Sequence, residues 1–256
     1  MADIKVAVIN ASKTLTDAAV AAAVPVLQKQ VTRDFAPQWG VPADLLFVGA
    51  GKKPPAGSWW LVVLDDSDDA GALGYHDMTS EGLPLGKVFA GTDQTYGLSW
   101  TCTASHELLE MLVDPAINLT ALVQTPFDPT VNVVGRAFAY EVCDPCEADG
   151  DGYKIDGVLV SDFVYPAWFE PFRKKGSTKF DQRALLKEPL TLRPGGYMMV
   201  YDLSSASGWQ QVDALGERKY AARPRVGSRR ERRRTPRNEW MVSDRRVGAP
   251  RAREVA

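Results

Sequence analysis

Ser105-His106-Glu107-Leu108-Leu109-Glu110 is the stretch on which the reading of this chain turns. On a helix, residues four apart share a face, so His106 and Glu110 project together. Glu107 is offset to reach a water held between them and a substrate. The zinc-peptidase helix pattern His-Glu-x-x-His uses this spacing, with two ligands one turn apart and a general base beside the first. Here Glu110 stands where that pattern has its second histidine, which keeps a ligand type but changes its charge. Leu108, Leu109, Leu112 and Val113 make the other face of the helix apolar. The helix is therefore expected to be buried, and its polar groups need either a metal or an ion network as partner.

A catalytic zinc site takes three protein ligands and one open position. His76 and His106 are the chain's two histidines, so a three-histidine site is ruled out. The run Tyr140-Glu141-Val142-Cys143-Asp144-Pro145-Cys146-Glu147 gathers acids and thiols downstream of the helix. Glu141 is the first choice for third ligand, with Asp144 or His76 as alternatives. One histidine and two carboxylates make a harder, more anionic site, fitting Zn2+ or another divalent ion. In this reading Glu107 is the general base toward the attacking water. Tyr75, His76 and Tyr140 are candidate donors to a developing oxyanion.

Working outward, Ile4–Ile9 reads as an opening strand, and residues 17–35 as a helical run in which Pro25 should kink the helix or mark its start. Leu45–Val48, Trp59–Leu64 and Gly86–Gly91 read as further strands. The helix bearing the motif begins near Thr101 and is stopped by Asp114-Pro115. This order is that of an α/β, zincin-like mixed sheet with a support helix and an active-site helix. The last strand before the active-site helix is then the antiparallel edge, whose Lys87, Val88 and Phe89 would hold an extended peptide by main-chain hydrogen bonds. Residues 1–115 form this N-terminal part and residues 116–217 a smaller β-rich part completing the site. Within the latter, Arg136–Val142 and Tyr153–Val160 read as paired strands joined by a hairpin turn at Asp149-Gly150-Asp151-Gly152, and Tyr197–Tyr201 as a last strand. The Cys-x-x-Cys of Cys143 and Cys146 lacks a second pair and reads as buried free thiols.

The three cysteines are too few for a disulfide framework, and an apolar content of 45% is ordinary for a globular chain. No signal-peptide pattern opens the chain, and no apolar run is long enough to span a membrane. A cytoplasmic or particle-associated protein with no membrane partner is expected. The charge is strongly asymmetric. Residues 218–256 hold thirteen arginines and one lysine against four acids, a net of +10; the total is −2, so residues 1–217 carry −12. Residues 218–256 are expected to form an extended or disordered arm. Its Arg229, Arg230, Arg232, Arg233 and Arg234 would bind an acidic protein surface or nucleic acid.

The runs Ser105–Pro115, Tyr140–Pro145 and Val160–Phe169 resemble a group of bacterial and phage-associated proteins that look like zincin-type metallopeptidases. The resemblance implies that His106, Glu107 and Glu110 match that group's helix motif and that Glu141 or Asp144 belongs to its second acidic motif. The activity it implies is zinc-dependent cleavage of a peptide or protein substrate. The departure at Glu110 from the well-studied zinc peptidases points also to an alternative, a non-catalytic zincin-like structural or assembly protein of a phage-like particle attached through its arginine arm.

Overall fold

Ile4–Asn10 (β1) is apolar on both faces from Val6 to Ile9, and only an interior strand can bury both. In the computed structural model, residues 4–68, 72–79, 81–124, 135–204, 208–216, 218–220 and 234–235 are described. The chain continues through α1 (Asp17–Lys29), α2 (Ala36–Trp39), β2 (Ala43–Val48), β3 (Trp59–Leu64), β4 (Gly74–Thr79), β5 (Pro84–Phe89), α3 (Ala90–Thr95) and α4 (Trp100–Val113). These strands build a mixed sheet in the order β4-β5-β3-β1-β2. β1 pairs parallel with β2 and β3, β3 parallel with β5, and β4 antiparallel with β5. Among the described residues, no helix is long and apolar enough to cross a membrane.

The helical run of residues 17–35 is present, but Pro25 neither starts nor ends it. Thr16 caps the first turn by accepting from the Ala19 amide at 3.2 Å, α1 runs through Pro25, and a π-helical stretch, Gln30–Phe35, follows. Val20, Val24 and Leu27 of α1 share one core with Val6, Val8, Leu61, Val63 and Val88 of the sheet and Leu108, Met111 and Leu112 of α4. The opposite face of the sheet carries a second cluster, including Ile9, Trp60, Val62, Leu85 and Phe89.

β4 was hidden by its composition. Gly-Tyr-His-Asp-Met-Thr has none of the apolar alternation that marks a strand, yet His76, Asp77, Met78 and Thr79 are all buried. Its presence corrects the expectation for Lys87, Val88 and Phe89. β5 lies inside the sheet, paired on one side with β3 and on the other with β4, so its main-chain groups are engaged by neighbours. All three side chains are buried. Val88 packs into the core beneath α4, and Phe89 into the opposite cluster. The Lys87 ammonium pairs with Asp68 and donates to the Tyr75 hydroxyl at 2.7 Å. A peptide has no access to this strand.

Two glycines let α4 lie close on the sheet. A Cβ at Gly86 would sit 2.8 Å from Leu61 Cδ1 and 3.6 Å from Glu107 Cβ, and one at Gly74 would sit 2.8 Å from both Glu107 Cγ and Glu107 Oε1. His76 stands opposite Gly86 in the β4–β5 register, and on this pleat it faces α4.

The second part is an antiparallel sheet in the order β12-β11-β10-β7-β6, formed by β6 (Thr120–Gln124), β7 (Gly135–Ala139), β10 (Tyr197–Asp202), β11 (Trp209–Asp213) and β12 (Arg218–Tyr220). β8 (Tyr153–Ile155) and β9 (Val158–Val160) make a separate hairpin. The hairpin turn is therefore not Asp149–Gly152, which forms a 3-10 turn. It is Asp156-Gly157, whose φ values of 50° and 86° are those of a type I′ turn. Phe138, Phe163, Trp168 and Val200 join the same core as β1 and α4, so one hydrophobic interior serves both parts. The expected arm begins with structure, because Arg218–Tyr220 extends the second sheet and Arg234–Thr235 (β13) pairs in parallel with the end of β4. Arg229, Arg230, Arg232 and Arg233 lie outside the described residues, as does the side chain of Arg234.

Beneath the second part, Asp162 and Asp181 are fully buried neighbours. Asp162 Oδ1 accepts from the amides of Phe163 at 2.9 Å and Arg183 at 3.1 Å. Burial first, and then the Asp181 carboxyl, push the Asp162 pKa up to about 8. The folded state thus holds a proton that the unfolded state releases near pH 4. The associated stability is fully present below the unfolded pKa and is lost as pH rises toward 8. Asp162→Asn should therefore gain stability relative to wild type as pH goes from 5 to 8, read from paired urea-unfolding midpoints. A difference that does not change across that window would contradict a shared proton.

Candidate metal centre

α4 carries His106, Glu107 and Glu110, and the segment Glu141–Glu147 after β7 folds over them. The lid is fixed by Glu110 itself, whose Oε1 accepts from the amides of Cys143 at 3.0 Å and Asp144 at 3.4 Å. Ser105 ties α4 to the residue after β9, its hydroxyl accepting from the Ser161 amide at 2.6 Å. Asp144–Cys146 is a 3-10 turn with Glu147 directly after it, and in such a turn residues three apart are eclipsed. Asp144 and Glu147 therefore face the same way, toward His106.

The cluster divides into two groups around the two histidines. His106, Asp144 and Glu147 each offer a donor atom within 4.8 Å of the other two, and so do His76, Glu110 and Glu141. His106 Nε2 lies 3.2 Å from Asp144 Oδ1 and 3.4 Å from Glu110 Oε1. Two donors on a tetrahedral ion with bonds of 2.0–2.1 Å stand about 3.3–3.4 Å apart, so the spacing around His106 fits a divalent cation. His76 sits deeper. Its Nδ1 is 3.4 Å from Glu110 Oε2 and 3.8 Å from Glu107 Oε2, and its Nε2 is 3.5 Å from Glu141 Oε2.

These positions rearrange the ligand set expected from sequence. His106 and Glu110 do meet, but Glu141 belongs with His76, and Asp144 is the acid beside His106. Glu147 was missed, although its place three residues after Asp144 was visible. A cavity of about 540 Å³ opens on the His106 side, lined by His106, Glu107, Glu147, Gly74, Cys102 and Tyr197 among others. Tyr75 points to the far face, its hydroxyl donating to Asp68 at 2.7 Å, and Tyr140 packs against Phe169 with ring centroids 4.5 Å apart. Neither lines the cavity. Tyr197, read from the sequence only as the start of a strand, does. Cys102, Cys143 and Cys146 are buried free thiols.

Electrostatics within the cluster reflect its crowding with acids. Burial disfavours a charged His106, but the carboxylates of Glu110 and Asp144 overcome this and hold its pKa well above the usual value. His76 is likewise raised against burial, by Glu107 and Glu110. Glu110, although buried, is held below the usual carboxylate range by both histidines. Burial and the charge of Glu110 raise Asp144 to about 7, and burial with the charge of Asp144 raises Glu147 to about 8. Without a metal, protons fill this site near neutrality, and a cation must displace them.

No protein-family model, curated protein or solved structure matches the chain.

Proposed function

We propose that the protein is a zinc-dependent hydrolase acting on peptide bonds, with the site on the cavity wall at His106. The single observation that carries this is His106 Nε2 set 3.2 and 3.4 Å from two carboxylate oxygens beside a cavity that Glu107 also lines. His106, Asp144 and Glu147 would hold the ion, with Glu110 Oε1, 3.4 Å from His106 Nε2, as a further ligand. The ion supplies acidification of a water and polarisation of the substrate carbonyl. Glu107 takes the proton of the attacking water and delivers it to the leaving amine. The strand order, with an antiparallel β4 beside β5 and a long helix packed beneath both, supports a zincin-like reading of the fold.

In this reading Tyr197, which lines the cavity and is hydrogen-bonded to the Asp144 carboxyl, is the oxyanion donor. Burial and the charge of Asp144 push its phenol well up, so it keeps its proton across the working pH range. Removing one such donor costs about 10²–10³ in kcat. Tyr197→Phe should show that loss with unchanged metal content, measured by steady-state kinetics and elemental analysis; an unaltered kcat would remove Tyr197 from the chemistry.

The proposal as a whole is tested by incubating the purified full-length protein with a fluorescently labelled unfolded protein. Cleavage should stop on chelation and return on adding zinc. Cleavage that is indifferent to chelation, or absent from zinc-loaded protein, counts against it.

A further inference from the structure

We infer that the site holds two divalent cations bridged by Glu110, the second lying among His76, Glu110 and Glu141. This rests on the metal-dependent reading and extends it. The two oxygens of Glu110 face different histidines, Oε1 at 3.4 Å from His106 Nε2 and Oε2 at 3.4 Å from His76 Nδ1. A carboxylate that presents one oxygen to each of two nitrogen-containing groups is arranged as a bridge. In paired-metal hydrolases the ions stand about 3.5–4 Å apart, a separation such a bridge spans.

Charge balance points the same way. Glu107, Glu110, Glu141, Asp144 and Glu147 bring five carboxylates around two imidazoles, and the first four are buried. With all five ionised and neutral histidines, one dication leaves three uncompensated negative charges and two dications leave one. Buried carboxylates without a counter-charge are strongly disfavoured; a second ion compensates them where a single ion would leave the remainder to bound protons.

A protonated His76 is the alternative counter-charge; its two N–H donors would serve Glu110 at Nδ1 and Glu141 at Nε2 and leave the Glu107 carboxylate, also on the Nδ1 side, unserved. Glu107 adds an independent sign. It is 5% exposed, and its Oε2, aimed at His76 Nδ1 from 3.8 Å, has no hydrogen-bond partner among the described residues. A buried lone pair directed into this group is what a cation there, or a water attached to one, would engage. The second site is enclosed, since His76, Glu110 and Glu141 are all buried. The inner ion would set the charge and position of Glu110 and of Glu107 rather than meet substrate.

The test is metal stoichiometry. Metal-stripped full-length protein is dialysed against cobalt(II), and bound metal is counted per chain for wild type, His76→Ala and Asp144→Asn. Two ions in wild type and one in each variant are expected. One ion in wild type, whichever variant removes it, overturns the paired site while leaving the metal-dependent reading intact; none overturns both. A second measurement needs no variant. Wild type loaded with two equivalents of manganese(II) should give an exchange-coupled paramagnetic resonance spectrum, and a simple isolated-ion spectrum would overturn the bridge even if two ions bind.

Discussion

Glu107→Gln should slow hydrolysis of an unfolded protein by about 10²–10⁴-fold, the contribution of a positioned general base, while occupancy of the metal site beside the cavity and thermal stability stay at wild-type levels. The substitution is nearly isosteric, and the side chain it alters is held chiefly by packing. Glu107 Cγ and Oε1 lie against the space that a Gly74 side chain would fill, and Oε2 has no hydrogen-bond partner among the described residues to lose. Glu107 also lies outside both groups of donor atoms around the histidines, so its carboxylate is not needed to hold the cation beside the cavity. What the variant lacks is a group able to accept a proton from water. Undiminished turnover would remove Glu107 from the mechanism. Stoichiometric metal in a wild type that cleaves nothing would instead favour a non-catalytic, structural role for the same fold.

Gly196→Ala should destabilise the protein by about 1–3 kcal/mol, the usual range for overpacking, and should also weaken metal binding. A Cβ at Gly196 would lie 2.3 Å from the Pro145 carbonyl oxygen, 2.7 Å from its carbon and 2.9 Å from the Asp144 oxygen. These are backbone atoms of the 3-10 turn that presents Asp144 and Glu147 to His106. They cannot swing aside as a side-chain end does. Pro145 O is already fixed by the Arg193 amide at 2.9 Å, and the Gly196 amide donates to Arg193 O at 2.9 Å, so relief requires shifting the turn itself. The paired readouts are the urea midpoint of the metal-free protein and the affinity for zinc. A variant with a lower midpoint but wild-type affinity would show that the turn does not set the ligand geometry.

The helix and the grouping of its polar side chains were legible in the sequence because both are local. His106, Glu107 and Glu110 owe their relation to helical spacing, the apolar residues between them predict burial, and Asp114-Pro115 marks the end that α4 has at Val113. The apolar strands β1, β2 and β3 were legible for a similar reason. β4 was not, because its buried residues His76, Asp77 and Thr79 are polar, and only the fold, with α4 over His76 and β5 alongside, buries them. Missing β4 moved the antiparallel position onto β5 and gave Lys87, Val88 and Phe89 a role that their place inside the sheet rules out.

The division of the acids between the two histidines was hidden for a different reason. Glu141, Asp144 and Glu147 lie within seven residues, and their sorting between His76 and His106 depends on the 3-10 turn and on Glu110 holding the Cys143 amide. Both are tertiary facts. No spacing rule along the chain would have paired His76 with Glu141, residues brought together by β4 and the lid over α4.

Metal analysis of the full-length protein, purified without chelator, tests the central claim most directly. Stoichiometric divalent metal, depleted in His106→Ala, is the expected result. A wild-type chain that carries no metal and takes up neither zinc, cobalt nor manganese on dialysis would contradict it, and the buried histidines and carboxylates would then be a proton-filled structural network.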